Sequence, residues 1–207
     1  MRESRSWPCK AILMSIVLSA VSLTAFAQRG ALTIGRNIAE LTGEADLIVQ
    51  ANVVSARVEP HPQFKNLMTV LVTLEVTDTL KGSTRKTMQF RQYIWDPRDR
   101  LDAARYAKGQ ELLLLLGPES RYGLRSPVGL EQGRFRITRD ATGQIVAVNG
   151  KGNAGLFTGV EQSAAAQGRQ FSARQASVAR AGNSRSLALS DLKDIIRTLA
   201  NTKASQR

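Results

Sequence analysis

A regular alternation of apolar and polar residues over positions 67–82 constrains the fold more than any other feature of the sequence. Apart from Leu71 and Asp78, valines and leucines keep to one parity, while threonines and a glutamate keep to the other. The apolar set is Val70, Val72, Leu74, Val76 and Leu80. This period of two predicts a β-strand with one buried face and one solvated face. At about 3.3 Å per residue the strand would be about 40 Å long, and such strands usually coil around a small barrel or sandwich.

Other stretches predict how the sheet continues. The first strand is predicted over residues 45–58, and its apolar residues change parity after Val53, which is typical of a β-bulge or a sharp bend. Five consecutive leucines at 112–116 cannot alternate, so they predict a central strand that is buried on both faces. Further strands are predicted over residues 86–95, 122–130, 133–139 and 145–148. Pro127 would place the second of these at a sheet edge, and the last two would form a hairpin.

Two helices are predicted outside the strands. Asn37 can cap a short helix while Glu40, three residues later, reaches back to the cap. Ser190 would cap an amphipathic helix within residues 187–207. The apolar stripe of that helix consists of Leu192, Ile195, Ile196 and Leu199. The stripe needs a partner, which is either the β domain or another protein.

The stretch that leads to the last helix, residues 151–186, is rich in Gly, Ala, Gln and Arg. Few large apolar residues are available there to offset the entropy of the chain, so the composition predicts a flexible segment that is either disordered or loosely docked. Residues 150–155 match the pattern G-x-G-x-x-G after a predicted strand, but no amphipathic helix follows them. We therefore interpret this glycine-rich stretch as a hinge and not as a nucleotide-binding loop.

The first 27 residues are predicted to be an export signal. A basic stretch is followed by about 16 uncharged residues, fewer than the ~20 that span a bilayer. Ala25 and Ala27 then provide the small side chains that a signal peptidase reads. Cleavage after Ala27 would remove Cys9, the only cysteine, and leave a chain without disulfides. We expect a periplasmic or secreted bacterial protein that does not span the membrane after cleavage.

The charge of the chain indicates which partners it attracts. The formal net charge is +12. An excess of lysine and arginine favours anionic surfaces of the cell envelope, although the same charge also keeps a protein soluble. The predicted partner is therefore an envelope protein or an anionic polymer. Export makes intracellular nucleic acid an unsuitable partner.

Few residues are suited to catalysis. His61 is the only histidine, it lies between two prolines, and we interpret it as an exposed loop residue. Zinc hydrolysis and cysteine chemistry are therefore not expected, and we predict no catalytic residue, no metal site and no cofactor. One alternative is a hydrolase that uses the loop carboxylates of Asp96, Asp99 and Asp102. Arginines interleave with these acids, which favours a solvated ion-pair loop over a calcium site.

Candidate binding residues lie on the predicted third strand and on the late strands. They are Tyr93, Trp95, Arg125, Arg134 and Arg136. Phe135 and Ile137 are predicted to face the core, so Arg134 and Arg136 would point outward as a basic stripe. Aromatic rings beside such a stripe are typical of surfaces that bind single-stranded nucleic acid, but export removes the usual substrate of such a surface. The sequence therefore predicts an exported, non-catalytic binding module that contacts a protein or an anionic polymer of the envelope.

Several short motifs resemble those of a known fold family. In chain order they are residues 45–49 (ADLIV), 73–76 (TLEV), 80–82 (LKG), 108–115 (KGQELLLL) and 129–135 (GLEQGRF). This order resembles the OB-like barrel of the tissue-inhibitor-of-metalloproteinase and netrin-like group, and is most similar to its exported, largely uncharacterised bacterial domains. The resemblance implies a mainly β fold, with a small Greek-key OB-like barrel over residues 28–150.

The same resemblance implies a second alternative function, as an inhibitor or accessory domain of an exported protease. In the animal inhibitors, an N-terminal cysteine exposed by signal cleavage chelates the zinc of the protease. Cleavage of this chain would expose Gln28 instead, and no cysteine would remain. The inhibitory mechanism therefore has no residue through which it could be carried over, and likeness of fold alone does not imply activity.

Overall fold

The structure is a computed structural model that describes residues 33–182 and 187–201. The predicted export signal, with Ala25 and Ala27, lies outside these residues. The described elements, in chain order, are α1 (Ile38–Glu44), β1 (Leu47–Pro60), β2 (Met68–Lys81), β3 (Thr87–Tyr93), β4 (Glu111–Leu116), β5 (Arg134–Arg139), β6 (Ile145–Asn149), α2 (Val160–Ala166), α3 (Ala173–Ala181) and α4 (Leu189–Ala200). Short 3₁₀ turns occupy Pro97–Arg100, Ala103–Arg105 and Leu130–Gln132.

The fold is mainly β, as the sequence predicts. The strands form one antiparallel sheet in the order β3-β2-β1-β4-β5-β6, which does not close into a barrel. The register between β1 and β2 shifts between Val53 and Ser55, which confirms the predicted bulge. The five leucines lie in β4, are fully buried and stand between β1 and β5, which confirms the predicted central strand.

The organising strand is confirmed as β2. Val70, Val72 and Leu74 are fully buried, and Val76 packs partly buried against the same cluster. Alternation holds over residues 70–76, where every second side chain enters the core of the loop face, but Leu80 packs against the core of the helix face instead.

The strand predicted over residues 122–130 is wrong. This stretch makes only two isolated bridges, one between Leu124 and Arg91 of β3, which is parallel, and one between Pro127 and Leu116 of β4, which is antiparallel. Pro127 has no backbone N–H to donate, and the left-handed Gly123 and Gly129 bend the chain on either side. The stretch therefore runs from the free edge of β3 to the end of β4 without forming a regular strand.

Each face of the sheet has its own apolar core. On the face that we call the helix face, α1 to α4 pack on Ile48, Leu113, Leu115, Phe135 and Ile137. On the opposite face, which we call the loop face, side chains of β1, β2, β3 and β4 pack together. The loop between β3 and β4 contributes Ile94, Ala104 and Tyr106 to that second core.

The last helix docks on the sheet, which answers the question that the sequence left open. Its stripe residues Leu192, Ile195, Ile196 and Leu199 are all buried in the core of the helix face. Lys193 Nζ lies 2.5 Å from Asp78 Oδ2 of β2 and donates a 2.7 Å hydrogen bond to Gln50 Oε1 of β1. The predicted cap is wrong, because α4 begins after Ala188 and Ser190 lies within the helix. Ala188 is held extended by its bridge to Val146 of β6.

Residues 151–182 are more regular than their composition predicts. They contain α2 and α3, and they bury Leu156, Phe157 and Val160 against the helix face. Asn149 and Asn153 organise the glycine-rich turn, since the backbone N–H of each donates to the side-chain oxygen of the other, at 2.9 and 2.8 Å. Among residues 33–182 and 187–201, no helix is both long and apolar enough to cross a membrane.

Candidate functional site

Arg134 is the central residue of the candidate site, and it does not point outward as the sequence predicts. It lies opposite Leu114 of β4, so its side chain enters the loop face, where only 7% of it is exposed. Its guanidinium lies 4.7 Å from the centre of the Tyr106 ring, a cation–π contact. The alternation of β5 was predicted correctly, but a second layer, the loop between β3 and β4, covers the side that was expected to face solvent.

Two hydrogen bonds fix the Arg134 guanidinium. Nη1 donates to the carbonyl oxygen of Ala104 at 2.6 Å, and Nη2 donates to Glu131 Oε1 at 2.5 Å. The other carboxylate oxygen of Glu131 lies 3.8 Å from Arg105 Nη1. The Glu131 carboxylate is therefore shared by two cations. The two hydrogen bonds hold the planar guanidinium of Arg134 in one orientation.

The buried ring of Tyr106 supports the Arg134 guanidinium. Its ring packs edge-on against Phe90 in the core of the loop face. Its hydroxyl donates to Gln92 Oε1 at 2.8 Å, and burial raises its pKa to about 12. The phenol is therefore neutral at physiological pH, and its ring face is available to Arg134.

The backbone around the guanidinium is strained. Ala103, Ala104 and Arg105 have φ values of 48°, 54° and 64°, so three consecutive non-glycine residues are left-handed. Such a conformation costs roughly 1–2 kcal/mol per residue. Leu130, next to Glu131, is also left-handed, with φ of 55°. Strain of this kind is concentrated at functional sites, where the surrounding structure enforces it.

A cavity of about 140 Å³ opens beside these groups. It is lined by Arg105, Gln110, Glu131, Arg134, Arg136 and Gly150. A Cβ atom at position 150 would lie 2.5 Å from Glu131 Oε2, so only glycine lets the end of β6 approach this carboxylate. Three guanidinium groups and one carboxylate line the cavity, which leaves an excess of positive charge. The parallel N–H groups of an arginine guanidinium are suited to hydrogen-bond carboxylate and phosphate groups.

The loop carboxylates predicted as alternative catalytic groups have different environments. Asp96 Oδ1 accepts from the Arg98 backbone N–H at 2.9 Å, and its carboxylate pairs with the Arg98 guanidinium. Asp102 caps the next turn by accepting from the Arg105 backbone N–H at 3.3 Å. Burial, together with the charges of Asp102, Asp96 and Glu131, outweighs Arg105 and raises the pKa of Asp99.

Tyr93 and Trp95 lie together at the end of β3. Their rings are 4.8 Å apart and nearly perpendicular, and Trp95 is 66% exposed. Trp95 begins the loop that ends near Arg105 and Tyr106. Within the described parts of the chain, no hydrogen bond, ion pair or ring contact joins Trp95 to the arginines of the cavity.

Arg125 does not belong to the cavity. Its Nη2 donates to Asp46 Oδ2 at 2.8 Å, and its backbone N–H donates to the Arg91 carbonyl at 2.8 Å. Only 15% of its side chain is exposed. Arg125 therefore connects the stretch around Leu124 to β3 and to Asp46, which directly precedes β1. The predicted site residues thus separate into the cavity pair Arg134 and Arg136, the aromatic pair, and a structural arginine.

Arg105, Gln110 and Glu131 were not predicted as site residues. The spacing of Glu131 and Arg134, three residues apart, was visible in the sequence as a possible ion pair. Arg105 and Gln110 reach the cavity only because the loop folds back over β5, which no local pattern indicates.

His61 is buried, and its interpretation as an exposed residue is wrong. Its Nδ1 accepts from the backbone N–H groups of Gln63 and Phe64, at 3.2 and 3.3 Å, and its Nε2 lies 2.8 Å from the Tyr122 carbonyl oxygen. The ring also stacks on Phe64. His61 therefore joins two loops and needs no catalytic role. In the part of the chain that the structure describes, no group of three or more His, Cys, Asp and Glu side chains could hold a metal ion.

Comparison of the chain with models of known protein families, with curated proteins and with solved structures found no match. The functional interpretation therefore rests on the cavity and its surroundings.

Proposed function

We propose that this chain is a non-catalytic binding module that holds an anionic group of an envelope polymer in the cavity of Arg105, Arg134 and Arg136. The observation that carries the proposal is the charge of the cavity: three guanidinium groups and a single carboxylate line it. Glu131 is already shared by Arg134 and Arg105, at 2.5 and 3.8 Å. Positive charge thus remains for a ligand.

The rigidity of the cavity supports binding of a specific group over diffuse attraction of counterions. Arg134 is held by Ala104, Glu131 and the Tyr106 ring, so little side-chain entropy is lost when a ligand arrives. A partly buried charge is also screened less by salt than an exposed one. We therefore expect binding to persist at about 0.15 M salt, where purely diffuse attraction is largely screened.

We further propose that the loop face is an open variant of the OB-like barrel that the resemblance implies. The meander β1-β2-β3, the pairing of β4 with β1 and the two bridges of residues 124 and 127 support this proposal. A short strand between β3 and β4 would complete such a barrel, and the bridges lie where that strand would run. In OB folds, one strand face and the adjacent loops form the binding surface.

Export is part of the proposed function. It is supported by the basic, apolar and small-residue pattern of residues 1–27 and by the net charge of +12. An anionic polymer of the envelope would be available to an exported protein. Export would be tested by sequencing the N-terminus of the protein recovered outside the cytoplasm, and a protein that begins at Gln28 is expected.

Binding is tested by isothermal titration of the full chain with hyaluronan, a soluble uronate polymer, and with neutral dextran. Arg136→Ala is expected to weaken hyaluronan binding about tenfold, because it removes one charge-assisted contact from an exposed position that does not support the fold. The matched control is Arg57→Ala, since Arg57 is 68% exposed and does not line the cavity.

Equal weakening by Arg136→Ala and Arg57→Ala, or binding that vanishes at about 0.15 M salt, would overturn the proposal. Arg134→Lys adds a further test. Lysine keeps the positive charge but cannot make both hydrogen bonds of the guanidinium, to Ala104 and to Glu131. Binding should therefore weaken although the net charge of the cavity is unchanged.

A hydrolase is the second candidate, because burial and the neighbouring carboxylates raise the pKa of Asp99, as is typical of a general acid. Against this, Asp96 and Asp102 cap the turns of their own loop. Reducing ends released from the bound polymer by the wild-type chain, but not by Asp99→Asn, would favour the hydrolase.

A further inference from the structure

One oxygen of the Glu131 carboxylate is not used by the protein. Oε1 accepts from Arg134 Nη2 at 2.5 Å. Oε2 lies 3.8 Å from Arg105 Nη1, which is beyond hydrogen-bond distance, and no other donor in the described parts of the chain bonds to it. Arg105 and Gly150 both adjoin Oε2, and both also line the cavity. This oxygen is therefore an acceptor that a ligand in the cavity can use.

The other side chains of the cavity act as donors. Arg136 is exposed and forms no ion pair with any residue that the structure describes. Gln110 Oε1 accepts from the Ala107 backbone N–H at 3.2 Å, which leaves its Nε2 group to donate. The backbone N–H of Gly150 is already bonded to the Glu131 carbonyl oxygen, at 2.9 Å. A matching ligand therefore presents several acceptors to the cavity and one donor to Glu131.

The charges of the cavity restrict the charge of the ligand. Glu131 is shared by Arg134 and Arg105, which leaves Arg136 as the guanidinium without a carboxylate. One negative charge on the ligand would match Arg136, whereas a second would lie near the like charge of Glu131. The cavity of about 140 Å³ is also smaller than the roughly 300 Å³ of a small drug-sized pocket. It therefore suits a single unit of a polymer.

We infer that the anionic group is a sugar acid that carries one negative charge and donates one of its own hydroxyl groups to Glu131 Oε2. The inference rests on the proposed function, to which it adds a chemical class and a specificity-determining residue. The carboxylate of the sugar would bind Arg136 and Arg105, at the exposed side of the cavity. An anion without a hydroxyl group would displace water from Oε2 and leave this acceptor unpaired, which weakens binding.

The test compares two ligands that differ in their donors. The first is the methyl glycoside of glucuronate, and the second is its 2,3,4-tri-O-methyl ether, which keeps the charge and every oxygen but has no O–H group. Titration calorimetry of the full chain should show that the ether binds at least about tenfold more weakly. The three monodeoxy analogues of the glycoside provide an independent check on the wild-type chain, because each lacks one hydroxyl without added bulk. At least one of them should also bind about tenfold more weakly.

Glu131→Gln separates the hydrogen bond from the bulk of the methyl groups. Glutamine can still accept from Arg134 through Oε1, but its Nε2 replaces the free acceptor by a donor. A hydroxyl and an ether oxygen both accept from an N–H group, so the ratio of the two affinities should fall from at least about ten to about one. The matched control is Glu161→Gln on α2. Glu161 pairs with Arg180 at 3.1 Å and does not line the cavity, so this variant should keep the wild-type ratio.

The outcomes separate this inference from the function on which it rests. If the glycoside, its ether and the deoxy analogues bind the wild-type chain equally while Arg136→Ala still weakens binding, the cavity holds an anion without using Glu131, and only the inference is wrong. The inference is also wrong if Glu131→Gln keeps the wild-type ratio, because the bulk of the methyl groups would then explain it. If neither Arg136→Ala nor Glu131→Gln changes the affinity for the glycoside, the proposed function itself fails.

Discussion

The two faces of the sheet are covered in different ways. The helix face is covered by four helices, and α1 and α3 both begin with a complete capping box, at Asn37 and at Ser172. Its main ionic cluster is balanced, since Asp78 of β2 pairs with Lys193 and Arg197 of α4, and Arg197 also pairs with Asp194. The loop face is partly covered by a loop with three consecutive left-handed residues and borders a cavity with excess positive charge.

This difference separates the part of the molecule that supplies stability from the part that we propose binds a ligand. Regular helices with satisfied caps add stability without strain. The left-handed run costs free energy and is kept in place by Arg134, Glu131 and the core around Tyr106. We therefore expect substitutions on the helix face to change stability alone, and substitutions in the loop to change stability and binding together.

The largest expected effect comes from the helix face. Leu192→Ala removes a fully buried side chain of α4 and should lower the free energy of unfolding by about 2–5 kcal/mol. The affinity of the remaining folded protein for an anionic ligand should not change, because α4 lies on the opposite side of the sheet from the cavity. Urea unfolding and titration calorimetry measure the two quantities.

The matched control for that substitution is Leu101→Ala. Leu101 is a leucine of the loop between β3 and β4 that is 91% exposed, so its loss should change the free energy of unfolding by less than about 0.5 kcal/mol. If Leu192→Ala also weakened binding by the folded protein, the two faces would be coupled and the comparison would fail.

Most of the sheet could be predicted from the sequence, because each strand carries its own pattern. The alternation of β2, the phase change in β1 and the leucine run of β4 each depend on local side chains and on which faces are covered. Residues 151–182 were harder, since their order comes from side-chain amides such as Asn149 and Asn153 and from small residues packed between helices. Composition does not report such contacts.

The candidate site could be predicted only in part. The alternation of β5 predicted that Arg134 and Arg136 lie on the same face of the strand. Their environment, however, depends on the loop of residues 95–106, which folds back over that face. The left-handed conformation of Ala103 and Ala104 has no sequence marker, because alanine usually marks a right-handed helix. Contacts between elements distant in sequence, such as Arg134 with Ala104, are determined by the tertiary fold.

Two alanine-to-glycine substitutions, one on each face, should change the free energy of unfolding by smaller amounts and in opposite directions. Ala103→Gly should raise the free energy of unfolding by about 0.5–1 kcal/mol, because glycine adopts φ of 48° without the penalty of a Cβ atom. The same change in the middle of α3, Ala176→Gly, should lower it by about 0.5–1 kcal/mol. Ala103→Gly should also weaken anion binding, because the loop is less preorganised. A stabilised variant with unchanged affinity would show that the strain has no role in binding.

A pH-dependent effect of similar or smaller size concerns two carboxylates whose pKa values move in opposite directions. On the helix face, the hydrogen bond from Lys193, with the charges of Lys193 and Arg197, outweighs burial and lowers the pKa of Asp78 below its ordinary 3.8. Near the cavity, burial with neighbouring carboxylates raises the pKa of Asp99 above 3.8. Ionised Asp78 therefore stabilises the folded state above pH 3.8, and this contribution is lost as the pH falls through its lower folded-state pKa. Ionised Asp99 destabilises the folded state above its raised pKa, and that penalty is gone below 3.8.

The corresponding variants should therefore change stability with opposite signs. At neutral pH, Asp78→Asn is expected to lower the free energy of unfolding by about 1 kcal/mol, the usual size for a partly exposed ion pair, and Asp99→Asn to raise it slightly. Both differences from wild type should shrink as the pH is lowered to about 3, because the wild-type carboxyls become protonated in the unfolded state and Asp99 also in the folded state. Urea unfolding of the three proteins across this range provides the measurement. If Asp99→Asn destabilised the protein at neutral pH as Asp78→Asn does, the Asp99 carboxylate would belong to a stabilising ion pair. The two faces would then not differ in how they accommodate a buried carboxylate.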